Sequence, residues 1–190
     1  MGTKVVPDYA APLTGWRFWK IRKTPKDGII WLKSVVRSNL WPPMKKFEVN
    51  CFSQKGLNEQ GSYPEAHSPC GIYAYKTSHH ALENTDRFCY RGTLLGKVYL
   101  WGVIQRHQFG YRAQFAYPVS INIGICCICK RIINLKSEPF TLGWTYYHFA
   151  DFSVNGVLCD ACNEKFYSLD ISCSYRELKQ LADRYRIEIG

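Results

Sequence analysis

Two cysteine pairs constrain this chain more than any other feature: Cys126-Cys127-Ile128-Cys129 and Cys159-Asp160-Ala161-Cys162. Four thiolates, with two residues between the members of each pair, form the ligand set of a structural zinc ion. The 29 residues between Cys129 and Cys159 suit a ribbon whose strands cannot bury a core unaided. Cys126, Cys129, Cys159 and Cys162 are the expected ligands, with Zn2+ as the cofactor. Cys127 competes with Cys126 for the metal, so that choice rests on the spacing alone. Four sulfurs would close the coordination sphere, whereas a catalytic zinc needs an open position.

The other thiols bear on compartment. Nine cysteines, an odd count, with two pairs at metal spacing, favour reduced thiols over a disulfide framework. Cys51, Cys70, Cys89, Cys127 and Cys173 then read mainly as small buried apolar side chains. No secretory leader is visible, and no apolar run approaches the roughly 18 residues that span a bilayer. A cytoplasmic protein without a membrane partner is expected.

Charge is unevenly placed. The net charge is +10, with ten Lys/Arg against three acids in residues 1–50, seven against four in 51–125, and eight against eight in 126–190. A basic field attracts polyanions, and here it belongs to the first two thirds of the chain. The cysteine-bearing third is neutral, so it reads as a brace or a specificity element and not as the main phosphate grip.

The pattern predicts an α+β, mostly β protein in three parts: a flexible tail over 1–14, a β-rich barrel domain over 15–120, and a zinc ribbon with a C-terminal helix over 121–190. Gly15 to Ile21 alternates rings with cations, and Ile29 to Val36 is rich in β-formers. Residues 53–69 read as a long polar loop. Gly71 to Lys76 is a short strand, and Ser78 is placed to cap a helix through Ala81 and Leu82. Lys97–Ile104 and Tyr111–Tyr117 predict a hairpin, with Tyr111, Ala113, Phe115 and Tyr117 on one face, Arg112 and Gln114 on the other, and a bulge or bend at Gly102. Ser174-Tyr175-Arg176-Glu177 reads as a capping box that starts a final helix with an apolar stripe of Leu178, Leu181, Ala182 and Tyr185.

Two further constellations carry chemistry. Cys51, His67 and Cys70, with His107 available, form a possible second metal site, and His67 with Cys70 also fits a nucleophile and base. The plainer reading is a buried cysteine beside an exposed loop histidine. Aromatic residues in β-rich segments, interleaved with cations, suit unstacked bases. Arg17, Lys20, Arg22 and Lys33 are the candidate phosphate contacts; Tyr73, Trp101 and Tyr111 are the candidate stacking rings; Arg112, opposite the expected core face, is the candidate base-edge donor. Any one of these rings also fits a core.

Cys70 to Lys76, Leu100 to His107 and Gly110 to Pro118 together resemble a family of uncharacterised bacterial and phage-type proteins that pair a Gly-Ile-Tyr-Ala strand with Leu-Trp-Gly and Gly-Tyr-Arg-Ala strands. The resemblance covers residues 15–120 and implies no activity; the four-cysteine ribbon is an addition to it. In outline the barrel is also similar to the PUA-like group, which includes ASCH, EVE and YTH-type readers of RNA or modified bases. Gly71-Ile72-Tyr73-Ala74 with Ser78 and Ala81 is faintly similar to the nicotinamide pocket of ADP-ribosyltransferases, without the His-Gly pair or a well-placed glutamate.

The expectation is a nucleic-acid-binding protein, DNA or RNA, that reads a base or modified nucleotide and carries a structural zinc ribbon. The alternatives are a regulator of phage or bacterial origin that docks on a host protein, and an ADP-ribosyltransferase-like or second-metal enzyme.

Overall fold

Alternation along two long strands builds the body of the molecule. In β2 (Leu13–Lys23), Trp19 and Ile21 are buried in the main core, and in β6 (Leu94–Arg106) Val98, Leu100 and Ile104 join them. Both runs are rich in β-branched and aromatic residues, which suit a pleated, half-buried surface. The computed structural model describes residues 4–5, 11–24, 26–35, 39–48, 71–83, 91–143, 156–166 and 171–190, with backbone alone for 4–5 and 171–173.

β5 (Ile72–Tyr75) and β7 (Gly110–Pro118) complete a ring. Strand β6 pairs β2, β2 pairs β5 at Trp16 and Tyr75, β5 pairs β7, and β7 returns to β6, which closes a small barrel. Because β2 and β5 touch at a single pair, β2 is free further on to take β3 (Ile30–Ser34) as a second neighbour. β4 (Phe47–Glu48) adds to the free edge of β7, and β1 (Lys4–Val5) pairs Ile104 and Val103 of β6. Lys4 and Val5, and Leu13 and Thr14 at the head of β2, are thus strand residues within the segment expected to be a tail.

Trp41 is fully buried in the main core. It meets Trp19 edge-on at 5.6 Å, stacks on Phe47 at 4.4 Å, and its indole N–H donates to Ser34 Oγ at 2.9 Å. A second, smaller cluster lies on the opposite face, where Phe18, Tyr75, Leu95 and Ile125 pack with Ala81 of α1 (Ser78–Leu82). The N-cap of α1 is Thr77, one residue before the expected Ser78, and its hydroxyl accepts from His80 N.

The β6–β7 hairpin carries the expected bulge. Gly102 has φ of 78°, and the register slips between Trp101 and Ile104. The slip also breaks the alternation on β7: Ala113 and Ala116 are both buried, while Phe115 leaves the core and packs against Trp101. The single face expected for Tyr111, Ala113, Phe115 and Tyr117 is therefore corrected. A bulge puts two residues against one, and the facing strand twists to keep its pairs.

The cysteine-bearing segment is built into the barrel and does not stand beyond it. β8 (Ser120–Ile121) pairs in parallel with β13 (Glu188–Ile189), and β9 (Ile123–Ile125) pairs with Leu94 and Leu95 of β6 and with β10 (Ile132–Asn134). β11 (Phe140–Gly143) and β12 (Gly156–Cys159) form a separate hairpin, followed by α2 (Asp160–Phe166) and α3 (Ile171–Tyr185). One continuous core joins Trp19, Leu32 and Leu100 to Leu135, Phe140, Leu158 and Leu178. A boundary at residue 120 therefore falls inside a shared core.

The stripe on α3 is as expected, with Leu178, Leu181, Ala182 and Tyr185 all buried. Its start is not. The helix begins at Ile171, so Ser174 and Glu177 lie inside it and do not form a capping box: Ser174 Oγ accepts from Leu142 N at 2.9 Å, and Glu177 pairs with Lys23 at 2.5 Å. Tertiary partners took the two groups that a local cap would have used. Among the described residues no helix is long and apolar enough to cross a membrane.

Candidate metal centre and outer-face cluster

The first knuckle is a turn between β9 and β10. Cys126 N donates to Arg131 O at 2.9 Å, Lys130 N donates to Cys126 O at 3.1 Å, and Lys130 takes φ of 63° to close the loop. The second pair bridges two elements, with Cys159 ending β12 and Cys162 in the first turn of α2. A hydrogen bond from Cys127 N to Val157 O, 2.8 Å, ties the two halves together.

These constraints bring the four sulfurs within 4.8 Å of one another, with Cys129 Sγ and Cys159 Sγ 3.6 Å apart. Four thiolates about 2.3 Å from a tetrahedral ion would be separated by about 3.8 Å. Cys126, Cys129, Cys159 and Cys162 thus lie close enough to hold a metal ion, and the cluster takes Cys126 and not Cys127. Cys127 packs half-buried against the core, and burial, with the charge of Cys126 next, pushes its thiol up to about 12. Burial also drives Cys162 and Cys159 upward, whereas backbone N–H groups hold Cys126 below the usual thiol range despite its burial. Without a cation, four crowded sulfurs resist ionising together; a bound cation reverses that preference.

The candidate nucleic-acid residues fall into separate groups. Tyr73 of β5 directly faces Arg112 of β7, and Gln105 of β6 faces Arg112 from the other side. This row lies on the outside of the barrel, because the neighbouring Ile72 and Ala113 are buried in the core. The His107 ring lies 6.3 Å from that of Tyr73, and Tyr75 meets Tyr73 edge-on at 5.1 Å. Gly71, at φ of 111°, lets the Arg112 side chain lie across its backbone; a Cβ there would fall on Arg112 Cγ.

Charge in this cluster is positive. Burial, then the cations of Arg112 and Lys76, hold His107 below its ordinary pKa, so its imidazole is neutral near pH 7. Its Nε2 is buried and has no hydrogen-bond partner among the described residues. Burial, and then Tyr75, raise the pKa of Tyr73. Lys76 Nζ donates to Gln108 O at 2.9 Å at the hairpin tip.

Lys20, Arg22 and Lys33 form a second group. Lys20 directly faces Lys33, and Arg22 faces Trp31, whose ring lies 4.1 Å from the Arg184 guanidinium. None of the three has an acidic partner among the described residues. Arg17 does not join them. It shares the inward side of β2 with Trp19 and Ile21, donates to Tyr73 O, and lies 5.3 Å over the Trp41 ring. Tyr111 likewise turns inward and packs against the core, away from Arg112. Trp101 stands beside Phe115, at 6.0 Å, further along the outer face.

Cys51, His67 and Cys70 lie outside the described residues, so of that possible second site only His107 is placed. Sequence reasoning missed Gln105, Tyr99 and Phe115 as neighbours of the candidate residues. Their signal was cross-strand register, which one strand read alone does not carry. No known protein family, curated protein or solved structure matches the chain.

Proposed function

We propose that this chain is a nucleic-acid-binding protein that reads a base or modified nucleotide at the Tyr73–His107–Arg112 cluster and is braced by a structural zinc ion at the four cysteines. The observation that carries this reading is the cluster itself: a ring, a guanidinium and an imidazole whose buried Nε2 has no partner among the described residues, set together on the outside of a closed barrel. Arg112 offers paired donors to a base edge or a phosphate, and Tyr73 offers a face for an unstacked base. The Lys20–Lys33 pair adds support, since like charges directly opposed destabilise a sheet and a bound polyanion relieves the repulsion.

Zinc suits the four-sulfur set by ligand softness and tetrahedral spacing. When bound it supplies the charge that keeps all four sulfurs as thiolates. The cysteine-bearing third adds no net positive charge, so the ion's role is to hold β9, β10, β12 and α2 against the barrel.

Binding of labelled oligonucleotides, followed by anisotropy at increasing salt, tests the reading. Affinity should fall steeply and linearly on logarithmic axes as phosphate contacts release counterions. Arg112→Ala should weaken binding roughly tenfold with zinc content unchanged. Salt-independent binding, or no binding near physiological salt, overturns it.

A further inference from the structure

Outside the barrel, the β6–β7 hairpin continues the row of Arg112 into an aromatic strip. Beyond the bulge, Trp101 faces Phe115, and Tyr99 faces Tyr117. Tyr99, Trp101 and Phe115 point outward, because the intervening Leu100–Ala116 pair is buried in the barrel core, whereas Tyr117 packs against the main core. Strand β2 adds Trp16, whose cross-strand partner is Lys97, and Thr14, which faces Tyr99. From Tyr99 to Gln105 the strip runs for about 20 Å at strand rise.

The rings differ in how far the described residues cover them, with Trp16 packed against the smaller cluster of Phe18 and Leu95 and Tyr99 the most open. Tyr99 is 41% exposed, and Trp16, Trp101 and Phe115 are half-buried. Cations rim them: Lys46 Nζ lies 3.7 Å from the centre of the Phe115 ring, and Lys97 Nζ lies 5.7 Å from that of Trp16. Glu48 faces Phe115 and is tied to Lys46 at 3.4 Å, which leaves no uncompensated acid among the described residues registered on the strip. Tyr117 is committed elsewhere, since its hydroxyl donates to Tyr185 O and accepts from Met44 N.

Lys46 occupies one face of Phe115, so Phe115 buttresses Trp101, and the open rings are those of Tyr99 and Trp101. We infer that this strip is a stacking platform for single-stranded nucleic acid, along which the nucleotides flanking the base held at Arg112 are laid. The inference rests on the reading of Arg112 given above and adds a strand class and a path. A duplex keeps its bases stacked on each other and offers no free face to Tyr99 or Trp101. A single strand does, and each base–ring stack typically carries enough energy for a several-fold to hundredfold change in affinity.

The probes are fluorescein-labelled oligothymidylate and oligouridylate about twelve nucleotides long, within the usual range of a stacking groove, and a duplex of the same length. The full chain should prefer one or both single strands to the duplex. Trp101→Ala should weaken single-strand binding roughly tenfold, Trp101→Phe should restore most of it, and Tyr99→Ala should act in the same direction. Lys97→Gln should lower the slope of affinity with salt by about one.

Two outcomes overturn the strip alone. In the first, the duplex binds as well as the single strands. In the second, Tyr99→Ala and Trp101→Ala bind as wild type while Arg112→Ala is weakened. A wild-type dimer that Trp101→Ala converts to monomer, with oligonucleotide affinity intact, assigns the strip to self-association and also overturns the inference. Absence of binding to any probe removes both this inference and the function on which it rests.

Discussion

Tyr185 joins the last helix to the barrel through one hydroxyl, which donates to Trp41 O at 2.6 Å and accepts from Leu32 N at 3.1 Å. The side chain is fully buried, and burial pushes its pKa up to about 12. Tyr185→Phe would leave a backbone donor and acceptor without this partner and should cost about 1–3 kcal/mol of stability. The raised pKa also fixes a pH dependence. Below about pH 10 the phenol is protonated in both folded and unfolded chains. As pH rises from there toward the folded value, the unfolded chain loses its proton first and stability falls. Denaturant melts between pH 9 and 12 should therefore show a loss on the order of 2 kcal/mol in wild type beyond that of Tyr185→Phe; parallel curves for the two proteins would refute the assignment.

At the scale of elements, the β6–β7 hairpin depends on Gly102. A Cβ there would lie 2.7 Å from the Phe115 ring, on a backbone at φ of 78° that L side chains rarely adopt. Gly102→Ala should destabilise the protein by about 1–3 kcal/mol and displace Phe115 from Trp101, read as a lowered melting temperature and a shifted tryptophan emission. An unchanged melt and emission would mean that the bulge does not set the position of Phe115. The bulge was legible in the sequence because a glycine interrupts an otherwise β-branched and aromatic run. Its consequence for β7 was not, since the displacement of Phe115 follows from a register slip on the neighbouring strand. The same limit explains Arg17, which looked like a surface contact within its own strand and turned inward once closure of the ring decided which side was core. Tyr111, also named as a stacking ring, lies on the core face that the alternation of its own strand had given it. Ser174 and Glu177 failed in the opposite way: their local pattern fitted a cap, and distant partners, Leu142 N and Lys23, claimed them. The four-cysteine cluster was legible because metal spacing is local, whereas the attachment of its segment to the barrel through Leu94 and Leu95 depends on pairing across some thirty residues.

For the molecule as a whole, that attachment makes the four-cysteine cluster part of the barrel's stability. The knuckle strand β9 is paired to β6, Cys127 N is bonded to Val157 O, and Val157 N is bonded to Gly92 O just ahead of β6. Cys126, Cys159 and Cys162 belong to the same core as Trp19 and Leu100. A separable ribbon would lose its metal and unfold alone, leaving the barrel's transition in place. A shared core predicts otherwise, because any disorder at the cysteines exposes Leu135, Val157 and Leu158 and opens one wall of the barrel core. Chelation of the metal-loaded protein, or Cys159→Ser, should thus lower the melting temperature of the entire chain in one cooperative transition, with barrel tryptophan fluorescence and far-ultraviolet circular dichroism changing together. Two transitions, the upper one at the position of the metal-loaded protein, would instead show that the barrel stands without the clip. Because Tyr99, Trp101 and Arg112 sit on β6 and β7, the one-transition case also predicts that chelation abolishes oligonucleotide binding, although none of the four cysteines lies on the proposed path of the strand.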